Sequence, residues 1–279
     1  MRQKPLKNTS IKLSDIGFGA MSLEGKDSTA DIDLIHTAFD AGITYFDTAD
    51  LYDHGANEIL VGKAVQDFRQ DIVLATKVGN QWRADKSGWD WNTSKTYLCQ
   101  GLEDSLRRLK TDYIDLYQLH GGTESDNFAE IIDTFEGFKQ QGKIRAYGIS
   151  SIRPKVFTHY VQHAQIATNM MPYSLLDRRF ESYFESFEQA DVAVVVRGAL
   201  AQGLLAGKPA TAYQALDATE VAALQRQQQK QASEQNSTAI QVALQFVLKQ
   251  PAVASAVIGI RNKKQLKDII LSYPAVFNP

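Results

Sequence analysis

The chain has 279 residues, 44% of them hydrophobic, with 30 basic and 32 acidic side chains. This length is enough to bury a large core, and a net charge of −2 provides no basic excess for binding nucleic acid or an anionic membrane. A single cysteine, Cys99, excludes an internal disulfide framework. No apolar segment follows Arg2–Pro5, and no window approaches about 18 consecutive apolar residues. We therefore expect a cytoplasmic protein. Length alone allows one or two domains, but α/β barrels of this size are commonly a single domain, and we expect one domain over residues 1–279.

Short apolar runs alternate with helical periods along the whole chain. Several runs are continuously apolar, as expected for parallel strands that are covered on both faces. Capping residues or Pro154 begin the intervening helices, and glycines such as Gly42 and Gly142 end them. The predicted strands are residues 16–19, 44–47, 72–76, 113–119, 144–149, 165–169, 192–196 and 254–258. The predicted helices include residues 28–39, 58–67, 94–109, 127–140, 176–189, 219–235, 238–249 and 262–271.

Eight strands alternating with helices predict an α/β fold, the (β/α)₈ or TIM barrel. A doubly wound sheet is the main alternative, and it needs a glycine-rich turn that leads directly into a helix. Gly17 and Gly19 only partly match that turn, because Ser22 replaces the last glycine and the next helix begins near Ser28. We expect residues 6–13, which precede the first barrel strand, to form a short hairpin that plugs the barrel bottom.

Polar residues follow three successive predicted strands at the point where each strand ends. Asp47 closes one run and Tyr52 follows it, Lys77 closes the next run, and His120 closes the third. The C-terminal ends of barrel strands share one face, where barrel enzymes carry out their chemistry. Each residue alone has an ordinary structural interpretation, but the shared face favours a catalytic site.

These residue types suit the reduction of a carbonyl group, which needs a hydride on carbon and a proton on oxygen. Tyr52 can donate the proton, and a neighbouring ammonium favours the phenolate that remains. Lys77 would supply that ammonium, Asp47 would keep it charged and oriented, and a neutral His120 can donate a hydrogen bond to the carbonyl oxygen. An isomerase or aldolase with Lys77 as a Schiff-base amine is an alternative on fold grounds, but it does not explain Tyr52 and His120.

Two other segments and the histidines allow simpler interpretations. The loop at 78–92 carries Trp82, Trp89 and Trp91, which predicts an apolar wall over a ligand pocket or packing of the loop onto its own barrel. The glutamine-rich run at 225–231 is interpreted as a solvated helix face. The five histidines show no spacing typical of metal ligands, so we expect no metal.

The four polar residues and the motifs around them resemble those of the aldo-keto reductases, in particular a bacterial subgroup. The resemblance implies a small carbonyl substrate and a nicotinamide cofactor, usually NADPH (NADP⁺), bound extended without a Rossmann fold. Similar barrels also serve as regulatory subunits that bind the cofactor with little turnover, and the intact set of four residues argues against that alternative. The sequence leaves the physiological substrate, the reaction direction and the oligomeric state open. The resemblance rests on residues 17–21, 46–58, 75–79, 105–120, 142–151, 173–178, 202–208 and 259–266.

The resemblance also implies the positions that bind the cofactor. Ser150 matches the residue that holds the nicotinamide carboxamide, and Arg261 matches the adenosine-phosphate end. Arg261, Lys263 and Lys264 form a cationic cluster at the start of a predicted helix, which suits a 2′-phosphate. By the same resemblance, Met21 and Asp47 lie near the nicotinamide and its ribose, and the loop after the seventh strand binds the pyrophosphate through Gly198, Leu200, Gln202 and Lys208. The full set of implied positions is Gly19, Met21, Asp47, Ser150, Arg197, Gly198, Leu200, Gln202, Lys208, Gly259, Arg261, Gln265 and Asp268.

Four departures from the family pattern concern the cofactor site and leave the four catalytic candidates unchanged. A planar guanidinium at Arg197 can stack on the nicotinamide where the family commonly has an aromatic ring. The other three bear on cofactor affinity and NADPH preference. They are Ser151 in place of a frequent Asn, Met170 or Asn169 near the usual carboxamide-binding Gln, and Ile269 in place of an adenine-contacting Asn, with Asp268 beside it.

Overall fold

A computed structural model describes residues 1–23 and 28–273, with the side chain of Ser28 excepted. The strands are β1 (Gln3–Pro5), β2 (Lys12–Ser14), β3 (Ile16–Gly19), β4 (Tyr45–Asp47), β5 (Val73–Val78), β6 (Asn80–Trp82), β7 (Trp89–Trp91), β8 (Ile114–His120), β9 (Ile144–Ser150), β10 (Thr168–Pro172), β11 (Ala193–Arg197) and β12 (Val253–Gly259). The helices are α1 (Ser28–Asp40), α2 (Ala56–Val65), α3 (Lys95–Leu109), α4 (Phe128–Gln140), α5 (Pro154–His163), α6 (Phe184–Gln189), α7 (Ala218–Glu234), α8 (Ala239–Leu248) and α9 (Lys263–Ser272).

Eight parallel strands form a closed barrel in the order β3, β4, β5, β8, β9, β10, β11 and β12, with β12 returning to pair with β3. Strand side chains such as Phe46 and Val196 pack with helical Leu34 and Leu98 in the main core. The predicted (β/α)₈ barrel is therefore confirmed. One domain over 1–279 stays a prediction, because residues 24–27 and 274–279 lie outside the described residues. Within the described ranges, no helix combines the length and apolar character needed to span a membrane.

The hairpin formed by β1 and β2 closes the floor of the barrel. Ser14 Oγ accepts a hydrogen bond from the backbone N–H of Tyr45 at the start of β4, which places the hairpin at the N-terminal end of the strands. Leu6, Ile11 and Leu13 are buried in one cluster with the inward-facing residues of the barrel. The predicted N-terminal hairpin is confirmed, and its apolar side chains fill the space that the strands leave at the bottom.

Two predicted segments have a different local structure. The helix expected over 176–189 is only Phe184–Gln189, because the residues before it form a turn. Ser174 and Asp177 exchange backbone hydrogen bonds there, and the Asp177 carboxylate pairs with Arg179 at 2.7 Å. The loop at 78–92 contains the antiparallel hairpin of β6 and β7. This second hairpin carries the three tryptophans to the C-terminal end of the barrel.

Leu13→Ala tests how much the floor hairpin stabilises the fold. Removing a fully buried leucine side chain should lower the free energy of unfolding by about 2–5 kcal/mol, since it leaves a cavity among apolar neighbours. Urea denaturation measures this loss, with exposed Lys12→Ala on the same strand as the control, expected within about 0.5 kcal/mol of the unmodified protein. Equal effects of the two substitutions would show that the plug contributes nothing to stability.

Candidate active site

The register of the barrel strands brings the catalytic candidates to one rim. Lys77 on β5 lies opposite Gln118 on β8, and His120 on β8 lies opposite Ser150 on β9. Asp47 ends β4, which pairs with β5 on its other side. These positions are the C-terminal ends of four adjacent strands, so the chain order of the strands by itself assembles the group.

Lys77 lies at the centre of this group and is only 1% exposed. Its Nζ donates to Asp47 Oδ1 at 2.5 Å, to the Thr48 carbonyl oxygen at 2.7 Å and to the Tyr52 hydroxyl at 3.3 Å. Gln118 Nε2 donates to the second Asp47 oxygen at 3.2 Å. Burial opposes the charged form of Lys77, but the Asp47 carboxylate and Tyr52 outweigh it and raise the pKa of Lys77. The phenol therefore lies beside a permanent ammonium.

The ring of His120 also lies near Tyr52. The two rings are perpendicular, with 6.1 Å between their centroids and an interplanar angle of 89°. Burial, together with the positive charges of Lys77 and Arg197, lowers the pKa of His120 to about 3. The imidazole is therefore neutral near pH 7 and can donate one N–H to an acceptor such as a carbonyl oxygen. Its Nδ1 is buried and has no hydrogen-bond partner among the described residues.

Sequence reasoning missed two supports of this site. Gln118 shares the strand face of His120, so the two-residue alternation of β8 was a signal for it. Thr48 Oγ1 donates to Asn57 Oδ1 at 2.6 Å, and Asn57 Nδ2 donates to the Ala20 carbonyl oxygen at 2.9 Å. This second support joins the loops after β4 and β3, and no local pattern indicates it.

The predicted nicotinamide end of the cofactor site lies on the adjoining part of the rim. Gly19 of β3 lies between Gly259 of β12 and Asp47 of β4 in the sheet register. A Cβ placed on Gly259 would lie 2.3 Å from Ser22 Oγ, so a larger residue there would require the Ser22 side chain to move. Met21 follows on the next turn and is 68% exposed. The structure thus brings three of the implied cofactor positions next to the catalytic group.

The loop after β11 carries the predicted pyrophosphate-binding positions in an unusual backbone conformation. Ala201, Gln202 and Gly203 are consecutive and have φ values of 45°, 57° and 95°. Lys208 Nζ donates to the Gln202 carbonyl oxygen at 2.7 Å, which closes the loop on itself. Left-handed conformations at non-glycine residues are costly and are concentrated at functional sites. The predicted residues on this loop are Gly198, Leu200, Gln202 and Lys208.

Two glutamines of α7 hold this loop. Gln225 Nε2 donates to the carbonyl oxygens of Leu204 and Lys208 at 2.7 and 2.9 Å. Gln228 is buried and donates to the Leu205 carbonyl oxygen at 3.0 Å and to the first residue of α8 at 2.7 Å. The interpretation of this run as a solvated face is wrong for these two residues. The NH₂ of one amide side chain can donate hydrogen bonds to two carbonyl oxygens. These acceptors belong to another segment, so the sequence of the helix does not indicate them.

The cationic cluster at the start of α9 is already partly neutralised. Lys263 pairs with a carboxylate of α1 at 2.5 Å, and Lys264 pairs with Asp268 at 2.9 Å. The Gln265 side chain accepts a hydrogen bond from the backbone N–H of Arg261 at 2.9 Å. Of the three cations, Arg261 is the one whose guanidinium makes no ion pair within the described part of the chain. Among these three cations, Arg261 is therefore the best candidate to bind an anion.

The tryptophan hairpin packs against the rim beside His120. A Cβ placed on Gly121 would lie 1.8 Å from Trp91 Cζ3, so the indole rests directly on the residue that follows the histidine. The Arg153 guanidinium lies 4.6 Å from the Trp91 ring centroid and donates to the Gly122 carbonyl oxygen at 2.9 Å. Trp91 therefore packs on the barrel and borders its mouth, and the wall over a ligand pocket stays a prediction.

Comparisons with known proteins agree with this geometry. The model of the aldo/keto reductase family matches residues 15–278. The chain belongs to this family. It is 43% identical to the uncharacterized oxidoreductase YqkF of Bacillus subtilis strain 168 over 279 residues, covering 97% of this chain and 90% of the relative. It is 28% identical to the NADH-specific methylglyoxal reductase of Escherichia coli K12, covering 96% and 92%. The holo form of aldo-keto reductase AKR11C1 from Bacillus halodurans matches with a TM-score of 0.86 and 42% identity, covering 98% and 90%.

Membership in the aldo/keto reductase family supports oxidoreductase activity on carbonyl compounds. Among the residues described for this aldo/keto reductase, no group of three or more His, Cys, Asp or Glu is arranged to hold a metal ion.

Three departures from the family pattern can now be located in this aldo/keto reductase. Met170 packs inside the barrel with the floor hairpin. Asn169 Oδ1 accepts from the Ser151 backbone N–H at 3.2 Å, and its Nδ2 is buried without a partner among the described residues. Ile269 is buried in the main core. Asn169 is thus the residue of the 169–170 pair that offers an unused amide beside Ser150.

Asp50 is a partly buried residue close to the reductase's catalytic candidates. Its backbone N–H donates to the Lys77 carbonyl oxygen at 3.2 Å, and the Tyr97 hydroxyl donates to Oδ2 at 3.4 Å. Its Oδ1 is buried and has no partner in the described structure. Burial, and next the Glu58 carboxylate, raise the pKa of Asp50 to about 8. Folding therefore favours the protonated form of this carboxyl group.

Asp50→Asn should stabilise the reductase in a pH-dependent way. Between about pH 4 and pH 8 the folded protein keeps a proton on Asp50 that the unfolded chain has lost, so the free energy of unfolding falls as pH rises through this window. Asparagine stays neutral, so the variant should match the unmodified protein near pH 4 and exceed it by a few kcal/mol at pH 8, since each pH unit between the two pKa values contributes up to about 1.4 kcal/mol. Urea denaturation at several pH values measures the difference. Asp53→Asn, at an exposed carboxyl in the same loop, is the control, and a pH-independent difference at Asp50 would contradict the argument.

Proposed function

We propose that the chain is an NADPH-dependent reductase of aldehydes and ketones in which Tyr52 is the general acid. The observation that carries the proposal is the 3.3 Å contact between the Tyr52 hydroxyl and the buried Lys77 ammonium, with a neutral His120 facing the same phenol. We expect the enzyme to act in the cytoplasm, in line with its single cysteine.

Each catalytic candidate has a defined task in this reaction. The Tyr52 hydroxyl gives its proton to the carbonyl oxygen, and the resulting phenolate is stabilised by Lys77. Asp47 keeps the ammonium charged and fixed, because its carboxylate is buried within 2.5 Å of Nζ. His120 donates an N–H to the carbonyl oxygen and aligns it with the phenol. The nicotinamide cofactor, when bound, supplies the hydride that reduces the carbonyl carbon.

The described residues fit a nicotinamide dinucleotide phosphate. Lys208 and Arg261 are exposed cations on the loops after β11 and β12, and neither makes an ion pair within the described residues, which suits phosphate groups. Arg197, the last residue of β11, is also exposed and without an ion pair there. The unused Asn169 amide lies beside Ser150, which suits a carboxamide. We assign Arg197 to the nicotinamide ring, Gly198, Leu200, Gln202 and Lys208 to the pyrophosphate, and Arg261, Gln265 and Asp268 to the adenosine end.

A direct test is NADPH oxidation by the purified protein with a panel of aldehydes, ketones and sugars. The proposal expects substrate-dependent oxidation with at least one carbonyl class. A protein that binds NADPH with no turnover across the panel would instead be a cofactor-binding regulatory subunit. Borohydride trapping of a carbonyl compound on Lys77 would favour Schiff-base chemistry instead.

Tyr52→Phe tests the acid role, because phenylalanine keeps the ring and removes the proton donor. The variant should bind NADPH as tightly as the unmodified enzyme and lose roughly 10²–10⁴-fold in turnover. Stopped-flow turnover and fluorescence titration of the cofactor measure the two properties separately. Tyr97→Phe, which removes another hydroxyl near the rim, is the matched control and should keep most of the activity. Near-normal turnover in Tyr52→Phe would remove Tyr52 from the acid role.

Arg261→Ala tests the preference for NADPH over NADH. The two cofactors differ by one phosphate, and a charge-assisted hydrogen bond to it is worth about 1.5–3 kcal/mol, or roughly 10- to 150-fold in affinity. The variant should therefore lose that much affinity for NADPH and little for NADH. Titration of both cofactors measures this, with exposed Lys267→Ala on the same helix as the control. The E. coli relative is NADH-specific by name, so an unmodified enzyme that prefers NADH is the outcome that would contradict the assignment.

A further inference from the structure

Trp82 contacts the chain on both sides of Tyr52. Its indole N–H donates to the carbonyl oxygen of Leu51, the residue before the tyrosine, at 3.0 Å. Its ring lies against the imidazole of His54, two residues after the tyrosine, with 3.9 Å between the centroids and an interplanar angle of 33°. One side chain from the β6–β7 hairpin therefore brackets the proposed acid.

The segment that Trp82 brackets has an unfavourable backbone. Asp53, His54 and Gly55 have φ values of 47°, 53° and 86°, so three consecutive residues after Tyr52 are left-handed. Asp and His tolerate this region better than most residues, but the conformation still needs contacts from outside the segment to persist. Asp53 and His54 are exposed, so the core does not provide those contacts for them.

We propose that Trp82 is a positioning residue that holds Tyr52 in reach of Lys77 and His120. The inference rests on the proposed function, in which Tyr52 is the acid. The hydrogen bond fixes the backbone at Leu51, and the ring contact fixes the strained turn at His54, so the phenol between them has a defined approach to the ammonium. The donor and one face of the indole are engaged by the protein itself, which distinguishes Trp82 from a residue that only lines the substrate pocket.

The test compares Trp82→Phe with Trp89→Phe, which makes the same change at the residue directly opposite in the hairpin. Phenylalanine keeps an aromatic ring and removes the N–H. Trp82→Phe should lower kcat by roughly 2- to 12-fold, the effect of one hydrogen bond, with the substrate KM and the cofactor Kd nearly unchanged. The double variant Trp82→Phe/His54→Asn should lose about 100-fold in kcat. Asparagine suits a left-handed backbone, but it removes the ring contact with residue 82. Trp89→Phe should leave kcat and the cofactor Kd unchanged, because the Trp89 ring packs against Trp91 with 5.0 Å between the centroids, and a role in a pocket wall would change only the substrate KM.

A second readout needs no catalysis. Hydrogen exchange of the backbone amides at 51–55 in the cofactor-free protein should be faster in Trp82→Phe than in the unmodified protein, and unchanged in Trp89→Phe. Faster exchange together with the kcat loss supports the inference. An increase in substrate KM at constant kcat and constant exchange would overturn it, because Trp82 would then only line the substrate pocket. If Trp82→Phe lowers Tm by more than about 2 °C, the same kcat and exchange measurements are made on His54→Asn, which changes an exposed residue.

Tyr52→Phe, measured in parallel, separates this inference from the proposed function. A nearly normal Tyr52→Phe variant overturns the proposed function, and with it the need to position Tyr52. An inactive Tyr52→Phe beside a Trp82→Phe variant with unchanged kcat and exchange overturns only the role of Trp82.

Discussion

The buried ion pair between Lys77 and Asp47 fixes the layout of the barrel mouth. A single charge enclosed by apolar strands would be costly, so each of the two groups requires the other and further hydrogen-bond partners. Gln118 and the Thr48 carbonyl oxygen supply those partners. The pair spans two adjacent strands, and it is therefore as rigid as the sheet itself. Tyr52 comes from a loop, and its hydroxyl gains a defined position by approaching this fixed ammonium.

The rim divides into two parts with different electrostatic tasks. The strands β4, β5 and β8 carry the group around Lys77, where each charge is paired or buried. The loops after β11 and β12 carry exposed cations without ion pairs in the described structure, which suits the binding of anions from solvent. His120 feels both parts, because burial and the charges of Lys77 and Arg197 all lower its pKa. Its neutral state thus follows from burial and from these two cations.

Much of this arrangement could be predicted from the sequence, because it follows from local patterns. Apolar runs marked the barrel strands, and Asp47, Lys77 and His120 stood at their ends. Contacts with distant segments could not be predicted in this way. Gln225 and Gln228 satisfy the carbonyl oxygens of a loop about 20 positions away, and Lys263 is paired with a carboxylate of α1 near the opposite end of the chain. The positions of the catalytic candidates could be predicted from the order of the strands. The residues that hold the surrounding loops could not, because their contacts depend on loop conformations that only the folded structure shows.

The seam between β3 and β12 has a consequence for synthesis on the ribosome. Ser255 Oγ donates to the Ser14 carbonyl oxygen across 241 residues, and the barrel edge at β3 has no partner until that distant segment is made. At roughly 5–20 residues per second, the wait lasts on the order of 12–50 s. An open strand edge invites pairing with other chains, but β3 has four residues, two of them glycine. The strand that waits longest for its partner is thus also a poor template for a neighbouring nascent chain.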